Sequence, residues 1–190
     1  MNVALLVITD RPHYLRRTLE SFSTQVGFDF SDYIVIDDKD HKLGGAGAIR
    51  AGWERVRETD AEYVFHLEDD WTFPLPVYVS EMVNILAANP DLANVVLRRQ
   101  PSPHDPPAGY IDDTYLPRDG FMEHHNGFWL NPCVYRRSIV ENFDWPIGGH
   151  EHHFSALLLR HGYSFAMLGA REDPPRCWHI GDERAPGSHW

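Results

Sequence analysis

The chain has 190 residues, 43% of them hydrophobic and 24% charged, which is the size and composition of one folded domain rather than of a disordered chain. Its 17 basic and 28 acidic side chains leave a net charge of −11, which argues against a non-specific nucleic-acid clamp, because such affinity comes from neutralising phosphates. No apolar run approaches the roughly 20 residues of a membrane span, Met1–Ile8 lacks the basic flank of a leader peptide, and Cys133 and Cys177 form no CxxC or disulfide framework; a cytoplasmic protein with reduced thiols and no membrane partner is expected.

Residues 3–8 form a continuous apolar run followed by Thr9, Asp10 and Pro12, and predict a buried parallel strand. From Pro12 to about Thr24, Tyr14, Leu15, Leu19 and Phe22 recur at helical spacing, with Thr9 or Asp10 placed as the cap. Residues 33–36 predict a second buried strand ending on Asp37-Asp38. The segment Leu43–Arg50 opens a second helix, which runs to about Arg57. Residues 62–67 predict a third strand ending on Glu68-Asp69-Asp70. A third helix over 76–88 is stopped by Asn89-Pro90, and residues 93–97 predict a fourth strand. This alternation is that of an α/β domain with a mostly parallel central sheet flanked by helices. The proline-rich segment 100–120 reads as a long functional loop. Beyond it the pattern predicts strand pieces at 127–130 and 133–135, a short helix over 136–142, a helix over 150–161 ended by Gly162, a last strand over 163–168, and a loop from Pro174 to Trp190.

In such sheets ligands bind at the carboxyl ends of the strands, and three strands here end in carboxylates: Asp10, Asp37-Asp38 and Glu68-Asp69-Asp70. Adjacent carboxylates repel one another unless a positive charge sits among them. A hard divalent cation, Mn2+ or Mg2+, suits carboxylate and phosphate oxygens. Asp37 and Asp38 can accept hydrogen bonds from a ribose hydroxyl or a base N–H. Gly44-Gly45-Ala46-Gly47 before a helix suits the close approach of a phosphate. It is neither a Walker A loop nor the dinucleotide fingerprint, whose last glycine is replaced by Arg50. His150-Glu151-His152-His153 is not the zinc motif HExxH, since Phe154 stands where its second histidine belongs. Glu151 at the start of a helix can instead serve as a general base. His179 in the late loop can complete a metal's coordination, with Arg176 and Arg184 near it for phosphate oxygens.

Taken in order, these residues resemble the GT-A glycosyltransferases, and among them the family-2-like group, from Val3 to about His179. Val7-Ile-Thr-Asp-Arg11 with Leu15 and Leu19-Glu-Ser21 resembles the first strand and helix of that fold. Ile36-Asp37-Asp38 resembles its nucleotide-binding turn, Gly44–Arg50 with Ala51-Gly52 its glycine-rich helix start, and Glu68-Asp69-Asp70 its metal-binding DxD element. Gly148-Gly-His-Glu151 followed by Ser155–Tyr163 resembles the helix that carries the catalytic base of inverting members, and His179 the late histidine at the metal or pyrophosphate. The chain departs from the pattern in two places. Glu68 replaces the first aspartate of DxD, and counting back from Gly162-Tyr163 puts His150 on the usual glutamate and Glu151 on the usual aspartate.

The resemblance implies a single Rossmann-like catalytic domain over 1–190, with a nucleotide-sugar half (1–99), an acceptor half (100–180) and a tail (181–190). It implies a metal-dependent transferase that moves one sugar from a nucleoside-diphosphate sugar, a UDP-sugar before others, to a hydroxyl. Glu151 is the expected base. Thr9, Asp10, Arg11, Asp37, Asp38, Gly45, Arg50, Glu68 and Asp69 are expected at the donor, Asp70 and His179 at Mn2+ or Mg2+, and Trp129 and His150 at the acceptor. Tyr110, Tyr115, Phe121, His124, His125 and Phe128 offer further aromatic faces for an acceptor. A carbohydrate or small molecule is the expected acceptor; a modified nucleobase in DNA is disfavoured by the net charge, although Arg98-Arg99 and Arg136-Arg137 supply local positive charge. A non-catalytic sugar-nucleotide or carbohydrate binder and a nucleotidyltransferase are the alternatives. The latter lacks a glycine-rich loop with a basic finger near the first strand.

Overall fold

The computed structural model of the chain describes residues 1–39, 42–102, 105, 110–147 and 150–181. In chain order the elements are β1 (Val3–Thr9), α1 (Pro12–Gln25), β2 (Asp32–Asp37), α2 (Gly44–Arg57), β3 (Tyr63–Glu68), β4 (Trp71–Thr72), α3 (Val79–Ala88), β5 (Leu92–Val96), β6 (Leu116–Arg118), β7 (Phe121–His124), β8 (Cys133–Arg136), α4 (Arg137–Asn142), α5 (Glu151–Arg160), β9 (Ser164–Leu168) and β10 (Trp178–His179).

One eight-stranded sheet, ordered β2-β1-β3-β8-β5-β9-β7-β6, carries the fold. All its strands run one way except β7 and β8. β2, β1 and β3 run parallel, as predicted, but the predicted fourth strand, β5, is separated from β3 by the antiparallel β8. Strands of the first and second halves of the chain therefore interleave. Two apolar layers cover the sheet. Phe22 of α1 and Val79, Met82 and Leu86 of α3 pack on one face. Trp53 of α2, Ile139 of α4, and Phe154 and Leu158 of α5 pack on the other. None of these helices is long and apolar enough to cross a membrane among the described residues.

Local chemistry explains where the expectations held and where they bent. In α1 the inward face is Tyr14, Thr18 and Phe22, spaced by four; Leu19 lies off that stripe and is 40% exposed. Neither Thr9 nor Asp10 caps α1; Arg11 is the N-cap residue, with no side-chain cap of its own. Strand β2 is an edge strand and not a buried one, with Tyr33 and Val35 67% and 58% exposed. α2 lies close on β1 because residue 52 is glycine: a Cβ there would stand 2.8 Å from a Leu6 methyl. Helix α3 begins at Val79, three residues later than Pro76. Residues 127–130 are not a strand; their place is taken by the hairpin of β6 and β7 inside the predicted long loop and just beyond it. Gly162, at φ +85°, ends α5 as expected.

His66 on β3 is fully buried against the Tyr135 ring, and neither ring nitrogen has a hydrogen-bond partner among the described residues. Desolvation pushes its pKa down to about 3, so it is a neutral core residue.

Candidate active site

The carboxyl ends of β1 and β3, the start of α2, the start of α5 and the late strand β10 surround one cavity of about 560 Å³. Its rim is organised by Asp69, which is 2% exposed. One of its oxygens accepts from the Thr9 hydroxyl at 3.0 Å and from the peptide N–H groups of Asp10 and Arg11 at 3.0 and 2.9 Å. The other accepts from the Arg11 guanidinium at 2.5 Å. Asp69 thus supplies from across the sheet the anion that the N-terminus of α1 lacks locally. Burial disfavours the Arg11 charge, but the hydrogen bonds and charges of Asp69 and Asp70 outweigh it and hold the guanidinium protonated.

Asp70 Oδ2 accepts from Arg11 at 2.8 Å and lies 2.9 Å from His179 Nε2. Burial opposes ionisation of Asp70, yet the His179 hydrogen bond and charge, with Arg11, overcome it and its carboxyl titrates below the usual range. His179 reaches this position because β10 pairs with β4, setting His179 opposite Trp71, whose ring lies 4.8 Å from the imidazole. The N–H of Ile180 then donates to the Asp70 carbonyl at 2.8 Å.

Glu68 and Glu151 have fewer partners. Glu68 receives the Trp71 indole N–H at 3.5 Å; burial, then the charges of Asp70 and Glu151, push its carboxyl up to about 8. Glu151 opens α5 and accepts the Leu130 N–H at 2.5 Å. Burial raises its carboxyl above the ordinary value despite that bond. The segment before Leu130 is tied to the same helix, since the Phe128 N–H donates to Ser155 Oγ at 2.7 Å.

No protein-family model matches the chain, and no curated protein matches it. Solved structures do. GalNAc-T7 with UDP, GalNAc and Mn2+ aligns with a TM-score of 0.68 at 10% identity, over 95% of this chain and 44% of that one. S. aureus TarS 1–349 in complex with UDP-GlcNAc aligns at 0.62 and 13% identity, over 100% of this chain and 60% of that one. A197 from STIV aligns at 0.57 and 12% identity, over 89% and 82%. All three have the GT-A fold. The chain has the GT-A fold. It spans less than two thirds of the TarS and GalNAc-T7 chains.

Within this GT-A domain the cavity brings together Thr9, Asp10, Arg11, Asp38, Gly45, Glu68, Asp69, Asp70, His150, Glu151 and His179, which the chain holds up to 170 residues apart. Asp38 also caps α2, accepting the N–H groups of Leu43 and Gly44 at 2.6 and 2.9 Å. Three expected residues do not line the cavity. Asp37 is exposed and closes a turn onto the Lys39 N–H. Arg50 is half-buried along α2. Trp129 folds its ring over Gly127. Among the expected acceptor aromatics, Tyr115, Phe121, His124 and Phe128 are buried in the domain, which removes them as faces for a ligand. Arg184, Gly148 and Gly149 lie outside the described residues. The cavity also takes in Gln100, Asp105, Leu130 and Trp145, which no motif marked. The indole N–H of Trp145 is buried with no hydrogen-bond partner among the described residues.

A divalent cation fits beside Asp70 and His179. Two ligands cis on an octahedral ion at about 2.1 Å lie about 3 Å apart; the cation would replace the Asp70–His179 hydrogen bond, whose 2.9 Å already sets that spacing. A carboxylate oxygen and an imidazole nitrogen are an acceptable donor set for Mn2+ or Mg2+. Space is kept by Gly181, where a Cβ would stand 2.2 Å from Asp70 Oδ2 and 2.9 Å from His179 Nε2. No group of three or more metal-ligating side chains exists among the described residues, so the remaining ligands would be phosphate or water oxygens.

Proposed function

We propose that this chain is a glycosyltransferase that moves a single sugar from a nucleoside-diphosphate sugar, with UDP-sugars the first candidates, to a hydroxyl acceptor, inverting at the anomeric carbon with Glu151 as general base. One observation carries the reading: Asp70 with His179 and the desolvated Glu151 open onto the same cavity at the strand ends of a GT-A domain. The neighbours found with UDP or UDP-GlcNAc give the donor class its support. The single-domain arrangement, with donor and acceptor halves, belongs to this reading, as does a cytoplasmic setting.

The wall of the cavity is rich in carboxyl groups. Asp10, Asp38, Glu68, Asp69, Asp70, Asp105 and Glu151 line it, while Arg11 is engaged by Asp69 and Asp70 and Arg99 by Asp105. A diphosphate entering there calls for added positive charge, and Asp70 and His179 would hold Mn2+ or Mg2+ to supply it. When bound, the cation stabilises the charge that develops on the leaving diphosphate. Arg11, fixed by Asp69, adds a preorganised donor on that side. Glu151 takes the proton of the attacking hydroxyl, and the burial that raises its basicity favours that task. The Leu130 N–H keeps the carboxylate oriented. His150, at the N-cap of α5 and on the cavity wall, would face the acceptor.

The test is thermal unfolding with UDP, GDP, CDP and dTDP, each with and without Mn2+. A nucleotide-specific rise in Tm that needs Mn2+ and is lost in Asp70→Ala is expected. No shift with any nucleotide overturns the proposal. Release of a nucleoside diphosphate from the sugar donor, rather than pyrophosphate from a triphosphate, separates it from nucleotidyl transfer.

A further inference from the structure

The segment that carries His179 is stitched to the chain after β5. Arg176 and Cys177 donate their N–H groups to the Arg98 carbonyl at 2.8 and 3.2 Å, and the Gln100 N–H donates to the Cys177 carbonyl at 3.1 Å. In an extended chain every second residue points its N–H and C=O to the same side, so His179 presents these groups where Cys177 does. By then the partner segment has turned away. The Gln100 side chain takes over the pairing. Its Oε1 accepts the His179 N–H at 2.8 Å, and its Nε2 donates to the His179 carbonyl at 3.0 Å. One amide side chain thus makes both bonds that a neighbouring strand would make. It does so on the backbone of the residue whose imidazole stands 2.9 Å from Asp70.

We propose that Gln100 is a positioning residue that sets the His179 imidazole against Asp70 for the divalent cation; this rests on the transferase reading above. The amide matches the need on three counts. It offers one donor and one acceptor, as the backbone of a neighbouring strand does. It is long enough to reach from the half-buried edge of the cavity. It carries no charge to compete with Asp70. The opposite side of the same residue is held by the pairing of β10 with β4 and by the Trp71 ring. Without the Gln100 amide, the chain beyond Cys177 is held at His179 only on the β4 side and can roll there, which swings the imidazole away from Oδ2.

Partners of metal ligands typically cost about 10- to 100-fold in metal affinity when removed. The experiment is a double-mutant cycle on Gln100→Met and His179→Ala, read as the Mn2+ dissociation constant by electron paramagnetic resonance of free Mn2+, with UDP present. Tm without metal is followed in parallel. Gln100→Met is expected to weaken Mn2+ binding by about 10-fold in the wild-type background and to have no further effect in His179→Ala. Any loss of Tm should be the same in both, because alanine keeps the backbone that Gln100 holds. Gln100→Asn, which keeps the amide but shortens its reach, should behave as Gln100→Met does. Undiminished Mn2+ affinity in both Gln100 variants, or an equal loss in the His179→Ala background, overturns the positioning role alone. Absence of Mn2+ binding by the wild-type protein with UDP overturns the transferase reading, and this proposal with it.

Discussion

Asp69 and Asp70 lie beside Arg11 and His179 on one side of the cavity, while Glu68 and Glu151 lie where desolvation outweighs hydrogen bonding. Glu68, Asp69 and Asp70 are consecutive and chemically alike, yet burial pushes Glu68 up to about 8 and His179 with Arg11 hold Asp70 below the usual range. Alternation along the strand explains the division. Glu68 follows His66 on the face of β3 that meets α2 and α5, whereas β3 ends at Glu68 and the next two residues turn back over the α1 terminus. A run of like charges is thereby split between a desolvated floor suited to proton transfer and a partnered rim suited to holding cations.

The largest effect expected from this division is on turnover. Glu151→Gln keeps an oxygen for the Leu130 N–H but removes the base, so transfer should fall by about 10²- to 10⁴-fold with nucleotide binding and Tm unchanged. The same residue fixes a pH dependence. A base works only when ionised, and burial has raised this carboxyl above its ordinary value of 4.5. The rate should therefore climb with pH along a limb centred above 4.5, and that limb should vanish in the variant. A limb at or below 4.5, or a variant with full activity, would remove Glu151 from the chemistry.

Asp69→Ala probes the opposite side and should act on the fold. It deletes four hydrogen bonds around the β1–α1 turn and leaves Arg11 to Asp10 and Asp70. Breaking a buried pair costs several kcal/mol; about 3 kcal/mol is expected here, since Asp70 retains part of the guanidinium's pairing. Urea unfolding measures it. A loss below about 1 kcal/mol would show that Asp69 is not the organiser of the rim.

Much of this division is legible in the sequence, and its limits have physical causes. Apolar runs ending in carboxylates located β1, β2 and β3 and so the floor and rim of the cavity, because a parallel sheet puts strand ends on one side. Choosing between neighbours was beyond the pattern: Asp37 and Asp38 are both carboxylates after β2, but one closes a surface turn and the other caps α2 and lines the cavity. The antiparallel insertion of β8 between β3 and β5 left no local mark, since a strand's direction is set by its connections and not by its own residues. Gln100 and Trp145 sit in irregular segments with no periodicity to place them.

His66 extends the contrast between partnered and partnerless groups to the core, and gives the smallest expected effect. Its folded pKa of about 3 lies below the 6.5 of the unfolded chain, so between these values the unfolded state binds a proton that the native state refuses. Stability contributed by the neutral ring is intact above pH 6.5 and is lost as pH falls toward 3. At pH 5 the unfolded chain gains about 1.5 pH units of proton binding, or about 2 kcal/mol relative to neutral pH. His66→Phe fills the site with a ring that cannot be protonated. The drop in unfolding free energy from pH 7.5 to pH 5 should shrink by about 2 kcal/mol in that variant, whatever the packing change does to stability at both pH values. His124, also pushed down to about 4 by burial, still titrates in the variant and accounts for acid sensitivity that persists. An unchanged pH dependence in His66→Phe would mean that the buried imidazole finds a proton-stabilising partner in the native state.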